Sequence, residues 1–150
     1  MPELDPVVAR CAEHIRDHGW ASIGLGPHDC VGDPPYTYTV GLHPAHPELV
    51  VAGLPWQLGH QILWAAVRPI LGGAAMADGG TYTGVIEGYA CRAAALDLGA
   101  CTVAFTVSDA YHRAVAPRMQ LLWPDTAGRF PGDPGCDPAA LHAQAIGGRR

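Results

Sequence analysis

Apolar residues recur along this chain in two rhythms. Near the start they keep helical spacing: Val7, Val8, Cys11, Ala12 and Ile15 share one stripe, while Arg10, Glu13, Arg16 and Asp17 face away. Asp5 and Pro6 suit the opening of that helix and Gly19 its left-handed stop. A short strand is then expected over 20–25, and a Pro/Gly/Asp loop over 26–35. Over 36–42 the rhythm becomes two-fold, with Tyr36, Tyr38, Val40 and Leu42 on one face and Thr37, Thr39 and Gly41 on the other. The segment 43–47 reads as a Pro-bounded turn. The nearly all-apolar run 49–54 fits a central strand covered on both faces.

Helical spacing returns from Pro55 to about Arg68, where Pro69 is expected to limit the element. Trp56, His60, Leu63, Val67 and Ile70 form one side of this helix, and Leu58, Ile62 and Ala65 make other sides apolar too. Such a helix belongs deep in a core or in a subunit interface. After a glycine-rich connection over 72–80, strands are expected over 81–95, broken at Gly84 or Gly88, and over 101–107. A short helix capped by Ser108 or Asp109, a strand over 119–123, and a small helix opened by Asp137 and Pro138 complete the chain. The order α-β-β-β-α-β-β-α-β-α predicts a single α+β domain over 1–150, with helices packed on a mostly antiparallel or mixed sheet and a tail frayed over 147–150.

Composition narrows the function classes. The length of 150 residues suits one domain with a core of its own, so neither metal nor disulfide is required for folding. The net charge is −5, and the nine basic residues, all Arg, are scattered. No basic stripe exists to bind phosphate backbones or anionic lipid, so neither nucleic acid nor membrane is an expected partner. Only 15% of residues are charged, which raises the expectation of a homodimer. The N-terminus carries no signal-peptide pattern, and no apolar run approaches the roughly 18 residues of a spanning helix. Five cysteines without a Cys-x-x-Cys pair then read as reduced thiols in a cytoplasmic protein.

The densest polar group follows the two-fold strand: His43, His46 and Glu48 beside Tyr38 and Thr39. An imidazole next to a carboxylate can act as a general base whose tautomer the carboxylate fixes. The same residues could supply metal ligands, or simply make a solvated turn. His14 and His18 lack the Glu of a His-Glu-x-x-His motif. His60 reads as a core histidine, and His112 could reach a cleft from its short helix. Ser22 and Ser108 stand outside any nucleophile-elbow motif, and no glycine-rich phosphate loop is present. A last group, Gln120, Trp123, Asp125 and Arg129, reads as a packed corner or as a ligand wall with Trp123 stacking and Asp125 or Arg129 orienting a polar group.

At these residues the chain resembles the bacterial family known as domain of unknown function 4262. The resemblance rests on His18-Gly19-Trp20, Tyr38-Thr39-Val40-Gly41-Leu42, His46-Pro47-Glu48-Leu49, Gly53-Leu54-Pro55, Gln120-Leu121-Leu122-Trp123-Pro124-Asp125 and Gly128-Arg129-Phe130-Pro131. It implies no activity, but it places Tyr38, Thr39, His46, Glu48, Trp123 and Asp125 in the family's signature. His43 matches no signature position, and Gly132 stands where members often carry Trp. A looser, pattern-level likeness is to flavin-reductase-type split barrels.

The resulting expectation is a small-molecule enzyme with His46 as acid/base, Glu48 as its orienter, and Tyr38 and Thr39 as hydrogen-bond donors. Trp123, Asp125, Gln120 and Arg129 would bind the ligand from across the same pocket. A non-catalytic ligand-binding or accessory module and a flavin-binding protein are the alternatives. No metal site is assigned, and the identity of any cofactor is left unknown.

Overall fold

A computed structural model describes residues 4–26 and 34–147. The first apolar stripe becomes helix α1, Leu4–His18, with Cys11 buried. It stops where Gly19 takes φ +90° and returns its N–H to Ile15 O. Three strands follow, β1 (Ala21–Leu25), β2 (Tyr36–Val40) and β3 (Glu48–Ala52), and then helix α2 (Trp56–Leu71). Strands β4 (Thr81–Ile86) and β5 (Tyr89–Ala95) form a hairpin. Helix α3 (Thr106–His112), strand β6 (Arg118–Leu122) and helix α4 (Pro138–Ala143) complete the order.

The six strands form one open mixed sheet, β1-β2-β3-β6-β5-β4, with β1 and β4 at its edges rather than closed into a barrel. Every neighbouring pair is antiparallel except β3 and β6. Those two run parallel, with Glu48 opposite Arg118 and Val50 opposite Gln120. This is the expected α+β class.

Two-residue periodicity divides the core. Leu49, Val51, Met119 and Leu121 face α2, which buries Ile62, Leu63, Ala66 and Val67 against them. Each of Ile62, Leu63 and Val67 contributes about 1.5–3 kcal/mol through burial. Val50 and Ala52 face the other way, into a cluster with Tyr36, Tyr38, Phe105 and Val107 beneath α1 and α3. Helix α2 is therefore buried on one side only. Trp56, Trp64 and Leu71 on its other sides remain 56%, 50% and 52% exposed.

The structure corrects three local expectations. The strand expected over 101–107 does not form. Thr102 instead bonds Ile146 O, Ala104 O accepts the Tyr36 hydroxyl, and Phe105 and Val107 plug the sheet face. The missing strand is replaced by splitting 81–95 into β4 and β5. Second, α2 runs through Pro69 to Leu71, closed by N–H groups of Gly72 and Gly73 on Pro69 O and Ile70 O. Third, Ser108 does not cap α3, because it is buried and receives a hydrogen bond from Arg118. Among the described residues Cys11, Cys91, Cys101 and Cys136 are free thiols. Cys30 lies outside the described residues, as do 148–150 of the tail expected to fray.

Gly53 ends β3 at φ +86°, donating its N–H to Pro35 O, and a Cβ there would strike the Ala143 carbonyl at the end of α4. Gly73 has φ +104° with nothing within 4 Å of the added carbon. Gly73→Ala should cost only backbone strain, about 1 kcal/mol. Gly53→Ala adds overpacking and should cost about 3 kcal/mol or more. Urea unfolding of the two variants checks the contrast, and equal midpoints would contradict the packing of α4 on β3.

Candidate functional site

Glu48 opens β3 and is fully buried. A carboxylate there would be very costly unless its lone pairs were met. The chain between β2 and β3 turns so that donors converge on it. Thr39 Oγ1 donates at 2.7 Å, and the backbone N–H groups of Gly41, Leu42 and His43 donate at 2.8, 3.2 and 3.4 Å. Gly41 adopts φ +106° here with Ile15 packed against its Cα, which leaves no room for a side chain. Thr39 is itself fixed, since its hydroxyl accepts from Leu49 N at 2.8 Å.

The fifth donor comes from elsewhere in the chain. His112, the last residue of α3, places Nε2 2.6 Å from Glu48 Oε2. Its side chain is 9% exposed and that of Glu48 0%. With the Nε2 proton directed at the carboxylate, Nδ1 carries the free lone pair, and it has no hydrogen-bond partner among the described residues. The His43 ring lies edge-on at 5.3 Å and Tyr111 at 5.0 Å.

Arg118 holds α3 in this position. It sits opposite Glu48 in the parallel register, yet its Nη1 donates to Thr39 O and Leu49 O, both at 3.1 Å, and its Nη2 to Ser108 Oγ at 2.8 Å. Its guanidinium lies 4.2 Å from the Phe105 ring centre and 5.1 Å from that of Tyr38. Burial brings its pKa down to about 10, which still leaves it cationic at neutral pH. The Tyr38 hydroxyl accepts from Val107 N at 3.2 Å, and burial pushes the phenol up to about 12. Three bonds thus tie α3 to the sheet: Val107 to Tyr38, Ser108 to Arg118 and His112 to Glu48. Asp109, on the same helix, has its carboxyl raised by desolvation, partly offset by Arg118 and His112.

The pairing of His46 with Glu48 does not form. His46 Nδ1 lies 2.8 Å from Pro47 O, and Nε2 accepts from Met76 N at 2.9 Å. Both ring nitrogens are spent, and the residue is buried as a clasp between the turn and the connection after α2. The histidine that Glu48 contacts is His112, 64 positions away. The metal alternative at this turn has no support in the geometry: among the described residues no three His, Cys, Asp or Glu side chains are grouped to hold a metal ion.

Nor do the two signature blocks share a pocket. Glu48 lies at the beginning of β3, whereas Trp123 follows the end of the parallel β6 and donates Nε1–H to Ala52 O at 2.8 Å. The intervening length of β3 is about 13 Å of extended chain. Asp125 is a hub of the far corner. Its Oδ1 accepts from Ala127 N and Arg129 N, and its Oδ2 from Arg129 Nε and Asp137 N. Gln120 Nε2 donates to Gln144 O. Trp123 lines a cavity of about 200 Å³ with Leu54, Leu58 and Tyr89. This adjoins a groove of about 760 Å³ between α2 and the β4–β5 hairpin. His60, expected in the core, is partly buried, stacked on Trp20 with Nδ1 2.7 Å from Ser22 Oγ. His14 and His18 contact each other, with His14 Nδ1 on Trp20 O.

Three backbone N–H donors and Arg129 hold the Asp125 carboxyl down to about 2. A depressed folded value means that the ionised form stabilises the fold. The contribution is present above the unfolded value of about 3.9 and is lost as pH falls through about 2. The wild-type chain should therefore lose stability between about pH 4 and 2, and Asp125→Asn should lose less over that window. Unfolding midpoints at both ends of the window test this, and parallel pH slopes would contradict it.

No curated protein and no solved structure matches the chain. The family model described as Domain of unknown function (DUF4262) matches residues 14–137. That span takes in the Glu48 cradle, α3 with His112, and the whole Trp123–Asp125 corner, and on it the chain belongs to the DUF4262 family.

Proposed function

We propose that this protein is an enzyme that moves a proton on a small molecule, with His112 as the acid/base and Glu48 as its orienting carboxylate. The observation that carries this reading is the 2.6 Å contact of His112 Nε2 with a fully buried carboxyl group, which leaves the Nδ1 lone pair without a hydrogen-bond partner among the described residues. When Nδ1 takes a proton, the ring becomes a cation bonded to an anion, and the charge-assisted bond strengthens. Thr39 and the three backbone N–H groups hold the Glu48 carboxyl group in place. Tyr38 and Arg118 position α3, and His43 stands beside the base. A ligand-binding module without catalysis is the second reading, favoured by the groove of about 760 Å³ between α2 and the hairpin. Free thiols at Cys11, Cys91, Cys101 and Cys136 accord with a reducing, cytoplasmic setting.

His112→Gln separates these readings, because glutamine can still donate to Glu48 but has no basic nitrogen. A bacterial metabolite extract incubated with the wild-type chain and followed by NMR should lose a compound. The variant should consume it about 100-fold more slowly or worse, with an unfolding midpoint close to the wild type. Equal consumption, or none by the wild type, would overturn the catalytic reading.

The apolar outer side of α2 belongs to the same proposal: a second copy covers Trp56, Trp64 and Leu71. Light scattering at micromolar concentration should return twice the 15.7 kDa chain mass, and a clean monomer would remove the dimer.

A further inference from the structure

We infer a second binding site, separate from His112, in the cavity of about 410 Å³ between the β5–β6 face and α4, for a neutral ligand with an apolar ring and one N–H donor. Its centre is Gln120. The residue is 5% exposed and its Nε2 donates to Gln144 O at 2.7 Å, which orients the amide so that Oε1 is the remaining acceptor. Oε1 has no hydrogen-bond partner among the described residues, and Gln120 lines the cavity. Unlike Arg118 Nε, this oxygen is not sealed from solvent, so a donor entering the cavity can reach it.

The other polar groups around the cavity define the ligand. Gln144 is spent: its amide hydrogens go to Trp123 O and Ala140 O, and its Oε1 accepts from Trp123 N. The Cys136 thiol lies against the carbonyls of Arg129 and Asp137, within 3.7 Å of each. Asp133 is the cavity's carboxylate, and Arg92 at 3.0 Å already balances its charge. The site therefore has no net charge with which to hold an ion, and its polar group without a protein partner among the described residues is an acceptor. Leu96, Leu122 and Leu141 supply apolar contact around it. A volume of about 410 Å³ lies within the range of small-molecule pockets, roughly 300–1,000 Å³.

Indole and 1-methylindole make a matched pair of probes, alike in ring and different in the donor. Titrated into the intact ¹⁵N-labelled chain, indole should give saturable amide shifts centred on Ala94, Leu96 and Gln120. 1-Methylindole should bind about tenfold more weakly, the size expected of one hydrogen bond. Gln120→Met should bring the two affinities together. Because Gln120 also anchors α4 through Gln144, the probe contrast in the wild-type chain stands by itself if the variant fails to fold. Absence of saturable shifts, equal affinity of the two probes, or shifts confined to another face would overturn the site. His112→Gln should leave indole binding unchanged, which keeps this test independent of the catalytic one.

Discussion

A carboxylate with no exposure to water organises one end of this fold. At that depth the surroundings must replace the water that Glu48 has lost, and five donors do so. Each donor constrains the chain that bears it. The backbone N–H groups set the course of the turn after β2, and Thr39 locks β2 to β3. His112 draws the end of α3 down onto the sheet. Removing His112 would leave Glu48 with four of its five donors, and removing Glu48 would leave those donors without their shared acceptor. Stability and candidate chemistry therefore rest on the same contact, which is why the glutamine replacement, keeping the donor, is more informative than alanine.

Arg118 completes this arrangement by a different principle. Placed next to Glu48 by the parallel register, it forms no ion pair with it. It bonds two strand carbonyls and the Ser108 hydroxyl, between the rings of Phe105 and Tyr38. Its Nε lacks a hydrogen-bond partner among the described residues, a cost that the cation–ring contacts help to offset. At the other end of the parallel pair, Asp125 plays a comparable part for the irregular chain after β6, gathering backbone donors from Ala127, Arg129 and Asp137. The two acidic hubs sit at opposite ends of β3 and β6, each ordering its own loop.

Much of the architecture was legible in the residues themselves. Periodicities of 3.6 and 2, with proline and glycine at the breaks, place α1, β2, β3, α2, β6 and α4 within a few residues of their observed ends, because those patterns follow from local geometry and burial. The failures at 101–107 and at Ser108 share a cause. An apolar run beside the sheet can satisfy its backbone by pairing as a strand or by bonding irregularly to Tyr36 and Ile146, and local pattern does not distinguish the two. Glu48 and Thr39 were identifiable as a polar group at a strand junction, since residues so near in sequence are bound to be near in space.

The sequence by itself determined the element order, the α+β class, the outward apolar side of α2, and the candidate role of Glu48 as an orienting carboxylate. Only the tertiary structure decided which histidine that carboxylate holds. His46 is two residues away but turns both nitrogens to backbone partners, whereas His112 arrives through β6 returning parallel to β3 and the packing of α3 across the sheet. Pairings across such separations depend on strand order and register. Those are set by the summed burial of both sheet faces, and no local spacing encodes them.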